Sequence, residues 1–281
     1  MRSLEPCCDS DHVLSCVNVE VNPDILLSQD NISISNVTLA FSNLIPPHAR
    51  VYKTEAGDEA IISYNPHTGG IIGTLHTHDG HAFALEQCGN SYIFEEFDLE
   101  SFPADEGVVD GHGVDTVELD LEERQMNIEH MRQGQRTFSV MFYYTPEFAA
   151  ATPNIEDFID QVIAETNQGY ANSRIPVTVT KLCQELATVS DTSTNLLADF
   201  SKMKGTAAAL RNTADAAALL ALDLPYCGVA YMATYARGNT VSVTKKSCAL
   251  GYYSFGHEIG HNFGAGHNTQ VVLQNGPCKG S

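Results

Sequence analysis

The stretch H257-EIGHNFGAGH-267 decides how the rest of this 281-residue chain is interpreted. It fits the pattern H-E-x-x-H-x-x-G-x-x-H. His257 and His261 are four residues apart, so on a helix both imidazoles project from one face and can bind the same cation. Gly264 can adopt a positive φ that ends a helix, after which the chain turns back. The pattern therefore predicts a helix, a glycine stop and a third ligand, His267.

This ligand set predicts a catalytic Zn²⁺ site. The three histidines leave a fourth coordination position for water, whereas a structural zinc site is closed by four protein ligands. Glu258 directly follows the first ligand, so its carboxylate can approach the metal-bound water and act as general base without ligating the ion. The alternative, ordinary histidines on an amphipathic helix, has to explain five fixed positions that match at once.

The second half of the chain alternates between strand and helix patterns. This alternation predicts an α+β or α/β domain with a mixed-direction sheet and an active-site helix. Asn154 is a candidate N-cap for the first long helix. The Ala- and Leu-rich stretch before the last two strands predicts one or two helices with a break at Gly205. The predicted strands are 137–144, 175–182, 226–232 and 240–245, and the predicted helices are 154–171, 194–222 and 252–264.

The first half is rich in β patterns. Alternating residues predict strands at 31–41 and 92–99, and 70–87 predicts a hairpin that turns at Asp79-Gly80. Residues 101–136 are rich in glycine and acidic residues and predict an exposed linker. Arg132 and Arg136 are candidate cleavage points in that linker.

Charge divides the chain at the same place. The net charge is −20, with 24 acidic and 6 basic residues up to Arg136, against 11 and 9 after it. This break predicts two units, residues 1–136 and 137–281. The acidic balance argues against nucleic acid or an anionic membrane as partner. No apolar run is long enough to span a membrane, and we expect a monomer.

Over residues 137–268 the chain resembles the metzincin metalloproteases, in particular their reprolysin (ADAM-like) branch, and bacterial peptidyl-Asp metalloproteases. The resemblance rests on the zinc motif and on flanking stretches such as V241-SVTKKSCALGYYSFG-256. It implies a zinc endopeptidase that acts on peptide or protein substrates, with a β-rich prodomain before the catalytic domain. It also implies that residues 241–245 lie near the edge strand that holds an extended substrate.

Two departures from the family pattern affect the expected activity. Asn268 follows the third histidine, where reprolysins commonly have Asp. Metzincins also place a methionine-containing turn after this histidine, but the last methionine here is Met232. We therefore expect a catalytic domain that is incomplete at its C-terminus. A catalytically impaired zinc-binding or interaction protein stays open as the alternative.

The cysteines indicate an oxidising compartment. The eight cysteines divide evenly between the two halves and form no C-x-x-C pair, which suits disulfides. Two sequons, at Asn31 and Asn36, are compatible with a secreted glycoprotein, although the first residues do not have the pattern of a signal peptide. In the second half we favour the pairs Cys227–Cys248 and Cys183–Cys278, although the sequence cannot choose among the three possible pairings.

Two further groups in the first half are candidate metal-binding features. By the family resemblance, Cys88 suggests a cysteine switch, in which a thiolate fills the open zinc position of a zymogen. A disulfide from Cys88 to Cys7, Cys8 or Cys16, or a buried thiol, is the alternative. A second histidine cluster could hold a metal, because alternate residues of a strand share a face, or could be ordinary surface histidines around a turn. Its members are His76, His78 and His81.

Overall fold

The computed structural model describes residues 12–22, 28–34, 37–45, 48–89, 91–103, 136–204, 214–232 and 240–267, which form two sheets and five helices. The first sheet contains β1 (Val13–Val19), β2 (Asn31–Ile34), β3 (Val37–Ile45), β4 (Ala49–Lys53), β5 (Glu59–Tyr64), β6 (Ile71–His76), β7 (Ala82–Cys88) and β8 (Ser91–Phe97). The second contains β9 (Arg136–Tyr144), β10 (Val177–Leu186), β11 (Ala216–Ala221), β12 (Gly228–Ala230) and β13 (Val241–Lys245). The helices are α1 (Pro146–Ala151), α2 (Ile155–Asn172), α3 (Leu196–Lys204), α4 (Lys246–Ala249) and α5 (Ser254–Asn262).

The first sheet is an antiparallel meander. Strands β2 to β8 follow one another in chain order across the sheet, and β1 pairs with β8 at the far edge. The predicted hairpin is confirmed as β6 and β7, which pair antiparallel around the Asp79-Gly80 turn. The stretch predicted as one β region at 31–41 forms two strands, β2 and the start of β3.

The second sheet is mixed, as predicted. Its order is β10-β9-β11-β13-β12, in which β12 is antiparallel to β13 and the other neighbours are parallel. Apolar side chains cover both faces: Phe142, Phe158 and Phe255 belong to one cluster, and Phe200 and Val243 to the other. A strand at the centre of such a sheet is therefore buried on both sides.

This double burial explains the wrong helix assignment in the second half of the chain. The stretch 194–222 was predicted to be helical, but only α3 is helical there, and β11 is a strand whose six residues are all buried. Alanine and leucine have high helix propensities. Burial on both faces overrides that preference, because a central parallel strand has no polar face to alternate with. The proposed break at Gly205 lies outside the described residues.

Helix α2 joins the two sheets. Its apolar stripe, with Phe158 and Ile159, packs on the second sheet. Its polar side is buried as well, and it faces the first sheet. Gln161 is fully buried there: it accepts a hydrogen bond from the Ser63 hydroxyl (2.6 Å) and donates to the Ile61 carbonyl oxygen (2.9 Å).

Similar hydrogen bonds continue along both ends of α2. The Asp157 carboxylate accepts from the Asn65 amide at 2.5 Å, and the Gln168 amide donates to Glu59 at 2.9 Å. Asn154 occupies the N-cap position, as predicted, but its side chain makes no cap bond. It donates instead to Gln87 of β7 at 2.5 Å. The contact between the first sheet and α2 therefore combines buried hydrogen bonds with an apolar cluster, in which Ala164 of α2 packs with Ile45, Ala49, Val51 and Ile61.

The cysteines only partly follow the predicted pairing. Cys227 and Cys248 form the expected disulfide. The second predicted pair is wrong, because Cys183 is a free thiol, whose pKa is raised by burial and by nearby Glu185. Its predicted partner Cys278 lies outside the described residues.

We expect Gln161→Met to destabilise the protein by roughly 2 kcal/mol, because the Ser63 hydroxyl and the Ile61 carbonyl would stay buried without their partner. The measurement is urea unfolding of both proteins at neutral pH. Glu156→Gln, a change at an exposed position on the same helix, is the matched control and should change stability by less than about 0.5 kcal/mol. A Gln161→Met protein as stable as the control would show that these bonds do not support the interface.

Candidate metal centre

Helix α5 carries the zinc motif and is bounded as the sequence predicts. The backbone N–H of His257 donates to the Tyr253 carbonyl oxygen at 3.0 Å and forms a first-turn bond of the helix. Gly264 has a φ of +91°, and its N–H donates to the His261 carbonyl oxygen at 2.8 Å. The chain then reverses, and His267 returns beside the helix.

The three predicted ligands converge on one point. The Nε2 atoms of His257 and His261 are 2.9 Å apart, and that of His267 lies 3.2 Å and 3.1 Å from them respectively. A tetrahedral zinc ion with Zn–N bonds of ~2.0–2.1 Å separates its ligand nitrogens by about 3.3 Å. The histidine nitrogens therefore fit a shared Zn²⁺ ion closely. Within the described ranges this is the one group of three or more ligand-type side chains that come this close together.

A backbone contact orients the second ligand. His261 is buried, and its Nδ1 lies 2.7 Å from the Ala265 carbonyl oxygen. This bond requires the proton on Nδ1, so that the lone pair of Nε2 points to the metal position. His257 is exposed and His267 is half-buried, so the site is open to solvent on one side.

Glu258 follows the first histidine on α5 and lies in a closely packed position. It is fully buried, and its side chain packs directly over Gly228 of β12. A Cβ at Gly228 would lie 2.6 Å from both Cγ and Oε1 of Glu258, which is closer than side chains tolerate. The absence of a side chain at Gly228 therefore fixes where the carboxylate can lie. The sequence motif gave no sign of this contact, because the two residues are 30 positions apart.

Two further residues hold α5 in place and were not found from the sequence. The Asn262 side-chain amide donates to the carbonyl oxygens of Tyr231 (2.9 Å) and Val241 (3.2 Å), which ties the helix to the edge of the second sheet. The Tyr170 hydroxyl of α2 donates to the Gly256 carbonyl oxygen at 2.8 Å. Burial raises the pKa of Tyr170, so this hydroxyl stays protonated.

The edge of the second sheet is β12, and the predicted substrate-side stretch 241–245 is the strand next to it. Cys227 and Tyr231 bond to β13 through their main chains. In an antiparallel pair, bonded and non-bonded positions alternate. The main-chain groups of Gly228 and Ala230 are therefore directed away from β13, and no other described strand pairs with them.

The second histidine cluster does not converge on a metal position. Each ring faces a different carboxylate: His78 Nδ1 lies 2.8 Å from Asp58, and His81 Nδ1 lies 2.8 Å from Glu96. His76 Nε2 lies 3.8 Å from Glu165 of α2. The interpretation as ordinary turn histidines fits two of the three, and His76 is the exception because it reaches the second half of the chain.

Cys88 is not a free thiol. It is disulfide-bonded, as is Cys16. A disulfide sulfur has no thiolate to offer a metal, so the structure does not support the cysteine switch. Cys7, Cys8, Asn36, Arg132 and Asn268 lie outside the described residues.

A family model described as metallo-peptidase family M12 matches residues 134–281. The chain belongs to this family. Membership of family M12 implies a bound metal, and the histidine triad is where the structure can hold one. None of the helices within the described ranges is both long and apolar enough to cross a membrane.

Known proteins similar to this M12 chain include bacterial metalloendopeptidases. A peptidyl-Asp metalloendopeptidase of Stenotrophomonas maltophilia (strain K279a) is 30% identical over 214 residues, which cover 71% of this chain and 50% of the relative. One from Xanthomonas campestris pv. campestris is 31% identical over 133 residues, which cover 44% and 32%. The crystal structure of metalloproteinase-II from Bacteroides fragilis matches with 15% identity and a TM-score of 0.41, covering 85% of this chain and 75% of that one. The M12 chain spans about half the length of the first of these relatives.

The Asp58–His78 pair makes the stability of the first sheet depend on pH. Hydrogen bonds from the His78 ring and backbone, with one from Thr54, lower the pKa of Asp58 from 3.8 to about 2, and the bond to Asp58 raises the pKa of His78 above 6.5. The contribution of Asp58 to the free energy of unfolding is lost as the pH falls from 3.8 towards 2. The contribution of His78 to the same free energy is complete below pH 6.5 and is lost as the pH rises through the raised pKa.

We therefore expect Asp58→Asn to lower the urea midpoint more at pH 5 than at pH 8, because the ion pair is fully charged only at the lower of these values. The measurement is the difference between wild type and variant at both pH values. Glu55→Gln, an exposed change in the same turn, should give a difference that does not depend on pH. An equal loss at pH 5 and pH 8 for Asp58→Asn would contradict the assignment.

Proposed function

We propose that the protein is a zinc-dependent endopeptidase of the reprolysin-like branch. The observation that carries the proposal is the convergence of three Nε2 atoms within 2.9–3.2 Å of one another, two of them from the helix that also holds the buried Glu258. Open metal sites with three protein ligands are typical of hydrolytic zinc centres. The relatives named peptidyl-Asp metalloendopeptidases support peptide bonds as the substrate class.

The residues of the site have distinct roles in this proposal. His257, His261 and His267 hold the ion, and the Ala265 carbonyl keeps His261 in the required tautomer. Bound zinc supplies a Lewis acid for the scissile carbonyl and lowers the pKa of a water molecule to about 7. Glu258 accepts a proton from the attacking water and passes it to the leaving amine. Gly228 keeps the Glu258 carboxylate in the position that this transfer requires.

The substrate binds, in this proposal, as an extended strand along β12. The main-chain groups of Gly228 and Ala230 are directed away from β13, so a peptide can add to the sheet by backbone hydrogen bonds. Because Glu258 packs on Gly228, a peptide on this edge passes close to the general base. Backbone pairing accepts many sequences, so the side-chain pockets have to supply any preference.

The first half of the chain is proposed to be a prosegment, and the whole to be secreted. Three observations support export: the Cys227–Cys248 disulfide, the bonded Cys16 and Cys88, and the exposed sequon at Asn31. The first sheet packs on α2 and on the segment that precedes α5. These contacts suit a first sheet that stabilises the active-site helix better than one that covers the histidines.

We expect Glu258→Gln to keep its zinc while peptide cleavage falls by several orders of magnitude, because the amide cannot accept the proton from water. Zinc content by atomic absorption and cleavage of a quenched fluorescent peptide library measure the two effects. Glu185→Gln, at an exposed position, is the control. Full cleavage by the Glu258 variant would refute the general-base role, and a wild-type protein that binds zinc but cleaves nothing would favour the non-catalytic alternative.

Gly228→Ala tests the position of that carboxylate. The added methyl group would displace the Glu258 side chain, and a shift of about 1 Å in a catalytic group can lower the rate about a hundredfold. Zinc content should not change, since Gly228 does not contact the ligands. Gly260→Ala on α5, where a Cβ meets nothing within 4 Å, is the matched control. Equal activities of the two variants would contradict the assigned role of Gly228.

A further inference from the structure

The segment that leads into the active-site helix lies between the two halves of the chain. We call residues 250–253 the pre-helix turn. Two of its residues have positive φ, Gly251 at +73° and Tyr253 at +62°. The Tyr253 carbonyl oxygen accepts the hydrogen bond from the His257 backbone at 3.0 Å. The conformation of this turn therefore sets the start of the helix and the backbone position of the first ligand.

Helix α2 contacts the pre-helix turn from one side. Both carboxylate oxygens of Glu165, which is buried, lie 3.1 Å from the Gly251 N–H that donates to them. A Cβ on Gly169 would lie 3.5 Å from the Tyr253 ring, so the ring packs directly on the helix backbone. These contacts are made within the second half of the chain.

The first sheet contacts the same turn from the other side. The Phe97 ring of β8 occupies the space beside Gly251, where a Cβ would lie 2.8 Å from it. The His76 ring of β6 stacks on the Tyr253 ring, with centroids 5.0 Å apart and an interplanar angle of 29°. His76 is also the histidine that faces Glu165.

The stacking matters because Tyr253 is held in an unfavourable conformation. A residue with a Cβ loses about 1–2 kcal/mol in the left-handed region, and it stays there only when its surroundings hold it. Gly169 supports one side of the Tyr253 ring, and His76 stacks on it from the first sheet. Without the stacked ring, the turn can relax towards a negative φ and move the carbonyl oxygen that His257 needs.

We propose that His76 is a positioning residue for the metal centre. Through its stacking on Tyr253, the first sheet sets the geometry of His257 without touching any ligand. This inference rests on the proposed zinc site and deepens it, because it makes metal affinity depend on a residue from the other sheet.

The β6–β7 hairpin provides a control residue for His76. His76 and His81 lie on opposite sides of the same turn, but His81 faces Glu96 within the first sheet and its side chain is 51% exposed, against 23% for His76. His76→Gln removes the ring but keeps a polar group towards Glu165. His76→Phe keeps a ring that can stack and removes the polar atom. The two variants therefore separate the stacking on Tyr253 from the polar contact with Glu165.

The experiment measures zinc affinity of the full chain by competition with a chromophoric chelator. Outer-shell changes lower metal affinity 10–100-fold, and His76→Gln should lie at the lower end, about tenfold, because it acts through Tyr253. His76→Phe and His81→Gln should stay within about twofold of wild type. Hydrogen exchange of the zinc-free protein gives a second readout: His76→Gln should speed exchange of the His257 amide but not of the Phe158 amide in α2.

Several outcomes would overturn the proposal. Wild-type affinity in His76→Gln, an equal loss in His81→Gln, or an equal loss in His76→Phe would each show that stacking on Tyr253 does not position the ligand. The proposed function fails separately. If His261→Ala bound zinc as tightly as the wild type, both the proposed zinc site and the role of His76 would be refuted. If the wild type bound zinc through the triad but cleaved no peptide, only the enzymatic function would be refuted.

Discussion

The burial of α2 on both of its sides is the constraint on which the rest of this structure depends. One side supplies apolar residues to the core of the second sheet, and the other gives its polar groups to the first sheet. Burying such groups without partners would be costly, so the hydrogen bonds of Asp157, Gln161 and Gln168 are a condition of the fold. The same helix then supports the metal centre through Tyr170 and Glu165.

The metal centre combines a local part with a distant part. The ligands lie within eleven residues of one another, and one helix with its return turn assembles them. The Glu258 carboxylate, by contrast, packs on a glycine in an edge strand, and the helix is tied to the sheet by the bonds of Asn262. The local part brings the three histidine nitrogens together, and the distant part sets where they and Glu258 lie relative to the edge of the second sheet.

This division explains how much could be predicted from the sequence. The histidine motif, the glycine stop and the β6–β7 hairpin follow from spacing and local pattern, whereas the Cys227–Cys248 pair was favoured among three possible pairings that the sequence cannot separate. The β11 strand was missed because alanine and leucine favour a helix until burial on both faces is known. The pairing of Cys183 was wrong, and His76 was grouped with two turn histidines. Both errors arise because the true contacts depend on which residues meet across the fold. Spacing alone does not contain that information.

Cleavage of the chain between the two sheets would allow the contact along α2 to separate. Side chains such as Asp157, Gln161 and Gln168 are readily hydrated, so along this helix separation would exchange their protein partners for water. It would also expose the apolar residues that pack with Ala164 of α2, which are Ile45, Ala49, Val51 and Ile61. The second half, left behind, would then present an amphipathic helix to solvent. The aromatic contacts at the pre-helix turn would add to the apolar surface that is newly exposed.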